Sequence, residues 1–190
     1  MRSFLRKCLY LCPSSYCLMF HHIDDGKIMK KSSCVLSIEK FIDILDSGIE
    51  FISVDEYVSF SGKTINKCVI TFDDGLKDVY TVAYPELKKR QIPFTIFVIV
   101  DYLDTEGYIT TEELIELSKD PLVSIGAHGM THDVLTGLSI EKQKYEMFSS
   151  KKYLEEIIGK KVDFFAFFPL ILWEFCHTIV WHAHLGGKNG

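Results

Sequence analysis

Apolar positions along this chain fall into two alternating kinds of stretch. Tyr16 to Phe20, Cys68 to Phe72, Pro93 to Val100, Leu122 to Ala127 and Val162 to Phe167 are short apolar runs that predict strands. Pro93 to Val100 is an unbroken β-branched and aromatic run, which marks a strand buried on both faces of a parallel sheet. Between the runs, apolar residues recur at helical spacing. Ser37 reads as the cap of a helix whose Ile38, Phe41, Ile42 and Leu45 share one face, with Gly48 as its stop. Leu76 to Arg90 predicts a second helix, with Val79, Val82, Ala83 and Leu87 on one side and a break or kink at Pro85. Thr110 or Thr111 caps a third helix that runs to Lys119. Ser139 to Ile158 predicts a long fourth helix burying Ile140, Met147, Phe148, Leu154, Ile157 and Ile158.

Strand followed by helix, repeated, implies βα units, because parallel neighbours need a crossover connection and a helix supplies it. The expected class is α/β, either an open doubly wound sheet or a barrel. In both, functional groups gather beyond the carboxyl ends of the strands. Two polar clusters fall there: Asp73-Asp74-Gly75 after Val69 to Phe72, and His128-Gly129-Met130-Thr131-His132 after Leu122 to Ala127. A third, His21-His22-Ile23-Asp24-Asp25-Gly26, follows Tyr16 to Phe20 and reads more simply as a surface loop.

Asp-Gly after a strand is by itself a turn signal, and two histidines four apart are by themselves common. Taken together at two strand ends they suggest more. One carboxylate and two imidazoles suit Zn²⁺ or a related divalent ion, and a second carboxylate nearby can accept a proton from water. That chemistry is hydrolysis. Gly129 stands where a zinc protease motif carries its glutamate, so proteolysis is not suggested. No Gly-rich phosphate loop occurs, so nucleotide binding has no support.

Composition narrows the partners. The 190 residues suit one domain, and 47% hydrophobic with 25% charged residues is ordinary for a globular protein. A formal net charge of -5, without a basic run, argues against a nucleic-acid partner. Cys8, Cys12 and Cys17 lack zinc-pair spacing and read as buried or free thiols. Arg2, Arg6 and Lys7 before Cys8 to Leu11 imitate a signal peptide, but Pro13-Ser14-Ser15 interrupts the apolar part and no small-residue cleavage site follows. A cytoplasmic location is the default expectation.

Thr71-Phe72-Asp73-Asp74-Gly75 together with His128-Gly129-Met130-Thr131-His132 resembles the first two motifs of the polysaccharide deacetylases with a NodB-homology domain. Tyr84-Pro85-Glu86-Leu87, Ile92 to Val98 and Leu18-Met19-Phe20-His21-His22 follow the same family style. The resemblance covers residues 16–168, leaving 1–15 as an N-terminal segment and 169–190 as an atypical tail. It implies a distorted (β/α) barrel and metal-assisted removal of acetyl groups from N-acetylated sugars of a polysaccharide. It further implies Asp73 as general base and Asp74, His128 and His132 as ligands of a divalent ion, Zn²⁺ first.

Later motifs depart from the pattern. Phe165 to Pro169 begins like the third one, but Leu170-Ile171 stands where the family has Tyr-Gly, and no Leu-x-x-His that supplies a general acid is recognisable. Glu174 is the lone formal charge between Phe164 and Gly187, although Pro169, Glu174 and His177 argue against a membrane span. A frameshift near Phe168 is one expectation for such a tail. The chain is also short for an eight-unit barrel of about 250 residues, so an incomplete barrel is expected. The alternative to an enzyme is a metal- or glycan-binding remnant without turnover.

Overall fold

The computed structural model describes residues 16–26, 34–59 and 67–166. The amino-terminal segment 1–15, the tail 169–190 and the Leu170-Ile171 departure lie outside them. A five-stranded parallel sheet forms the centre. Strands β1 (Tyr16–Phe20), β5 (Lys67–Phe72), β6 (Phe94–Val98) and β7 (Val123–Ala127) lie side by side in the order β1-β5-β6-β7. Short β4 (Glu50–Phe51) also pairs in parallel with β5. A separate two-stranded piece joins β2 (His22–Asp24) to β3 (Val35–Ser37).

Period-two burial explains why both sheet faces are dry. Ile70 and Phe72 of β5, with Phe94, Ile96 and Val98 of β6, face one apolar cluster, while Val69 and Phe97 face a second with Ile52, Val54 and Phe164. Every residue of β6 is buried, as its unbroken apolar composition requires. On the first face Phe72 meets Phe94 edge-on at 5.7 Å, and Phe20 meets Phe41 at 5.5 Å.

Helices α1 (Ile38–Leu45), α3 (Tyr84–Lys89) and α4 (Thr111–Lys119) fall within the expected stretches, and a short helix α2 (Val54–Ser59) lies between β4 and β5. Thr110, not Thr111, is the cap of α4. Its hydroxyl accepts from the Glu113 N–H at 3.2 Å and Glu113 returns the bond to the Thr110 N–H at 2.8 Å, a capping box. Ahead of α3 the chain takes a π turn over Val79–Ala83. Pro85, in the first turn of α3, has no N–H to give to a preceding turn, and the widened coil absorbs that break.

The last helical stretch differs from its sequence reading. It is divided into α5 (Ile140–Lys144), a π turn at Tyr145–Ser149 and α6 (Ser150–Ile158). The inward face carries Glu146, Ser150 and Leu154, whereas Ile140 and Phe148 are 65% and 50% exposed. One extra residue in the π turn rotates everything before it by roughly 100° relative to α6, which takes Ile140 off the core face. Phe148 is two residues from Ser150, about 200° around the helix, and so faces away from it. The Ser150 hydroxyl donates to the Glu146 and Met147 carbonyls inside this turn.

Residues 162–166 continue the parallel order as a single bridge rather than a full strand. Ala127 N–H donates to Phe164 O at 2.9 Å and Ala166 N–H to Ala127 O at 3.0 Å. Among the described residues the sheet is open, an incomplete barrel. Gly126 lets β7 lie tightly beside β6: a Cβ there would stand 2.4 Å from the Phe97 ring. Gly126→Ala is expected to cost about 1–3 kcal/mol by overpacking, visible as a lowered Tm in thermal unfolding.

Candidate metal centre

Both sequence clusters leave the same end of the sheet, on either side of β6. Strands two places apart are separated by about 10 Å, within reach of a carboxylate and an imidazole leaning toward each other. After β5 the chain reverses through two left-handed residues, Asp74 at φ 75° and Gly75 at φ 74°. Gly75 passes close over β6, with its would-be Cβ 3.4 Å from Val98 Cγ1. After β7, the His128 N–H donates to Val98 O at 2.9 Å, and Gly129 and His132 are left-handed at φ 91° and 69°. Asp74 and His132 are thus two of four described non-glycine residues with positive φ, a conformation that costs free energy and recurs at functional sites.

These turns bring three side chains together. Asp74 Oδ1 is 3.4 Å from His128 Nε2 and 3.5 Å from His132 Nε2, and one donor atom from each residue lies within 4.8 Å of the others. Asp74 Oδ1 is buried and makes no hydrogen bond among the described residues. A tetrahedral site with bonds of about 2.1 Å spaces its donors about 3.4 Å apart, so the residues present fit a zinc-sized ion. The His128 ring is 3% exposed, and its Nδ1 is 2.9 Å from Ala166 O. A proton on Nδ1, donated to that carbonyl, leaves Nε2 with its lone pair toward Asp74, the outer-sphere arrangement common to metal-binding histidines.

Asp73 sits beside the cluster, 5% exposed, with its N–H bonded to Phe20 O at 2.9 Å across the β1–β5 pairing. Burial raises its pKa above the ordinary carboxylate value, against the pull of His128 and His21. Burial works the same way on Asp74, but His128, followed by His21 and His132, outweighs it and holds that carboxyl below its usual value. His128 is driven down by burial and further up by Asp74, Asp73 and the Ala166 carbonyl, for a net rise. His132 is lowered by burial and by His128.

An imidazole must be neutral to ligate, so an ion displaces the proton that Asp74 and Asp73 favour on His128. Apparent Zn²⁺ affinity is therefore expected to climb about tenfold per pH unit as pH rises through the imidazole range, then level off. Titrations at several pH values check this slope.

The His21-His22 pair is not the plain surface loop expected of it. His22 lies in β2 and its Nδ1 is 2.6 Å from Asp78 Oδ2, tying the β1 exit to the turn after Asp74. His21 acts electrostatically on Asp73, Asp74 and His132. Glu146 also went unread. Only 3% exposed, it accepts from Met130 N–H at 2.6 Å, Thr131 N–H at 3.0 Å and Thr131 Oγ1 at 3.1 Å. The one sequence signal for it was an acidic residue on a helix face otherwise read as apolar.

A carboxylate and two imidazoles meet beyond the strand ends of a parallel α/β sheet, where they could hold a divalent ion, and a second buried carboxylate lies beside them. The polysaccharide deacetylase family pattern matches residues 61–169. The chain belongs to the polysaccharide deacetylase family. It is 31% identical over 155 residues to the Bacillus subtilis protein YxkH, which bears a polysaccharide deacetylase name, covering 79% of this chain and 54% of that one. It is 34% identical over 93 residues to the poly-β-1,6-N-acetyl-D-glucosamine N-deacetylase of Staphylococcus aureus, covering 45% of this chain and 31% of that one. The Streptococcus pyogenes deacetylase PplD, solved in complex with acetate, superposes with a TM-score of 0.71 at 27% identity, covering 82% of this chain and 74% of that one. The chain thus spans about half the length of YxkH and less than a third of the staphylococcal enzyme.

Proposed function

We propose that this protein is a divalent-metal-dependent deacetylase that hydrolyses the acetamide of N-acetylated sugars in a polysaccharide or oligosaccharide. The observation that carries the reading is the convergence of Asp74 Oδ1, His128 Nε2 and His132 Nε2 beside the buried Asp73. The substrate class is supported by family membership and by the staphylococcal relative, which is named for poly-β-1,6-N-acetyl-D-glucosamine.

Asp74, His128 and His132 would hold a divalent ion, Zn²⁺ by the donor set, and that ion would supply Lewis acidity, lowering the pKa of bound water toward ~7. The protein residues do the rest. Asp74, its carboxyl held below the ordinary range, is ionised at neutral pH. Ala166 O fixes the His128 ring so that it presents Nε2. Asp73 takes the proton from water as the C–O bond forms and returns it to the sugar nitrogen as the C–N bond breaks. Burial makes Asp73 a stronger base than an exposed aspartate. Products are acetate and a free amino sugar.

The test is acetate release from N-acetylglucosamine oligomers by the Zn²⁺- or Co²⁺-loaded chain. Acetate formation supports the reading. Leu170-Ile171, in place of the family's Tyr-Gly, favours a second one: a chain that binds metal or glycan without turnover. Metal bound with no acetate released assigns that alternative.

A further inference from the structure

We propose that Glu146 is a positioning residue that preforms the loop of residues 128–132, setting both imidazoles toward Asp74 before an ion arrives. The inference rests on the metal reading above. Glu146 lies in the π turn between α5 and α6, sixteen residues from Met130, yet its three hydrogen-bond donors all belong to Met130 and Thr131 between the two histidines. Two successive backbone N–H groups converge on Oε2 while the Thr131 hydroxyl takes Oε1. That is an anion nest filled by a side chain of the same protein.

Burying a carboxylate is costly unless it is hydrogen-bonded, and these bonds are of the strong, charge-assisted kind. The loop they hold is strained. Gly129 and His132 are both left-handed, bracketing the two N–H groups and turning them inward to the carboxylate. Gly129 has a second reason to be glycine, because a Cβ there would stand 2.8 Å from Glu146 Oε2. Val100 N–H to Gly129 O and Asp101 N–H to Met130 O pin the opposite side of the same loop, at 3.1 and 2.9 Å. The His128-to-His132 geometry is thereby clamped from two directions, and Glu146 is the clamp that comes from outside the sheet.

Reach and charge can be separated by two variants of the full chain. Glu146→Gln keeps the reach and an acceptor oxygen for both N–H groups, and its amide can donate to Thr131 Oγ1. Glu146→Asp keeps the charge but withdraws it from the loop. Zn²⁺ affinity is expected to fall about 10–100-fold in Glu146→Asp, the usual effect of losing an outer partner of a metal site, and to stay near wild type in Glu146→Gln. The visible spectrum of the Co²⁺-loaded Asp variant should change, and that of the Gln variant should not.

Wild-type affinity and spectrum in Glu146→Asp would overturn the proposal, as would the reverse order of the two variants, which would assign the effect to charge alone. Thr131→Val guards against a folding defect. It deletes one contact and leaves the helix untouched, and a several-fold loss of affinity at unchanged Tm is expected. Unchanged affinity there also counts against the proposal. Acetate release plays no part in these measurements, so a chain that binds Zn²⁺ tightly but frees no acetate contradicts the deacetylase reading alone.

Discussion

Asp74→Asn is expected to weaken Zn²⁺ binding by at least ~100-fold and to abolish acetate release with it. Removing an outer partner of a metal site typically costs about 10–100-fold in affinity, and removing a direct ligand should match or exceed that. Asparagine is the informative replacement because it tolerates the left-handed backbone that position 74 adopts, φ 75°, so the change tests the charge and not the fold. The same substitution removes the main support for protonated His128. Calorimetric titration with Zn²⁺, alongside thermal unfolding of the metal-free chain, separates these effects. Near-normal affinity in Asp74→Asn would mean that the two imidazoles find their third partner elsewhere.

Asp73→Asn should behave in the opposite manner. Zn²⁺ affinity stays close to that of the parent chain while the rate of acetate release falls by about 10²–10⁴, the usual contribution of a positioned general base. The contrast follows from geometry and burial. Asp74 Oδ1 is the carboxylate oxygen that stands 3.4 and 3.5 Å from the imidazole nitrogens, and Asp73 is the buried neighbour whose proton affinity is raised. Measuring Kd and kcat for both variants makes the assignment of roles testable. Should Asp73→Asn lose metal and Asp74→Asn keep it, the two roles are exchanged.

How much of this was legible beforehand depends on what kind of signal each residue carried. Strands β5 and β6 were readable because burial on both faces leaves runs rich in β-branched and aromatic residues, as in Phe94 to Val98, and β7 because Val123 to Ala127 is a short run of mostly apolar residues. The cap at Thr110 was half readable, since adjacent threonines offer the same chemistry and only the Glu113 partner distinguishes them. Asp74, His128 and His132 were legible as candidates because unusual polar residues interrupt apolar strands at their carboxyl ends. Their convergence was a matter of sheet order, which put β6 between them and no other strand.

The misread features share a cause. Helical periodicity assumes 3.6 residues per turn, and the π turn at Tyr145–Ser149 breaks that phase, so Ile140 was expected inside. Glu146 was hidden for a further reason: its three donors are two backbone N–H groups and one neutral hydroxyl of a loop, which leave no opposite charge to notice in sequence. The His22–Asp78 pair starts from β2, and three-residue strands such as β2 and β3 carry too little pattern to announce themselves.

Anomalous diffraction at the zinc edge from Zn²⁺-soaked crystals of the chain tests the central claim most directly. The account predicts one strong peak about 2.0–2.2 Å from Asp74 Oδ1, His128 Nε2 and His132 Nε2, with Asp73 outside bonding distance. A peak bound elsewhere, or none at this cluster under saturating Zn²⁺, would contradict it.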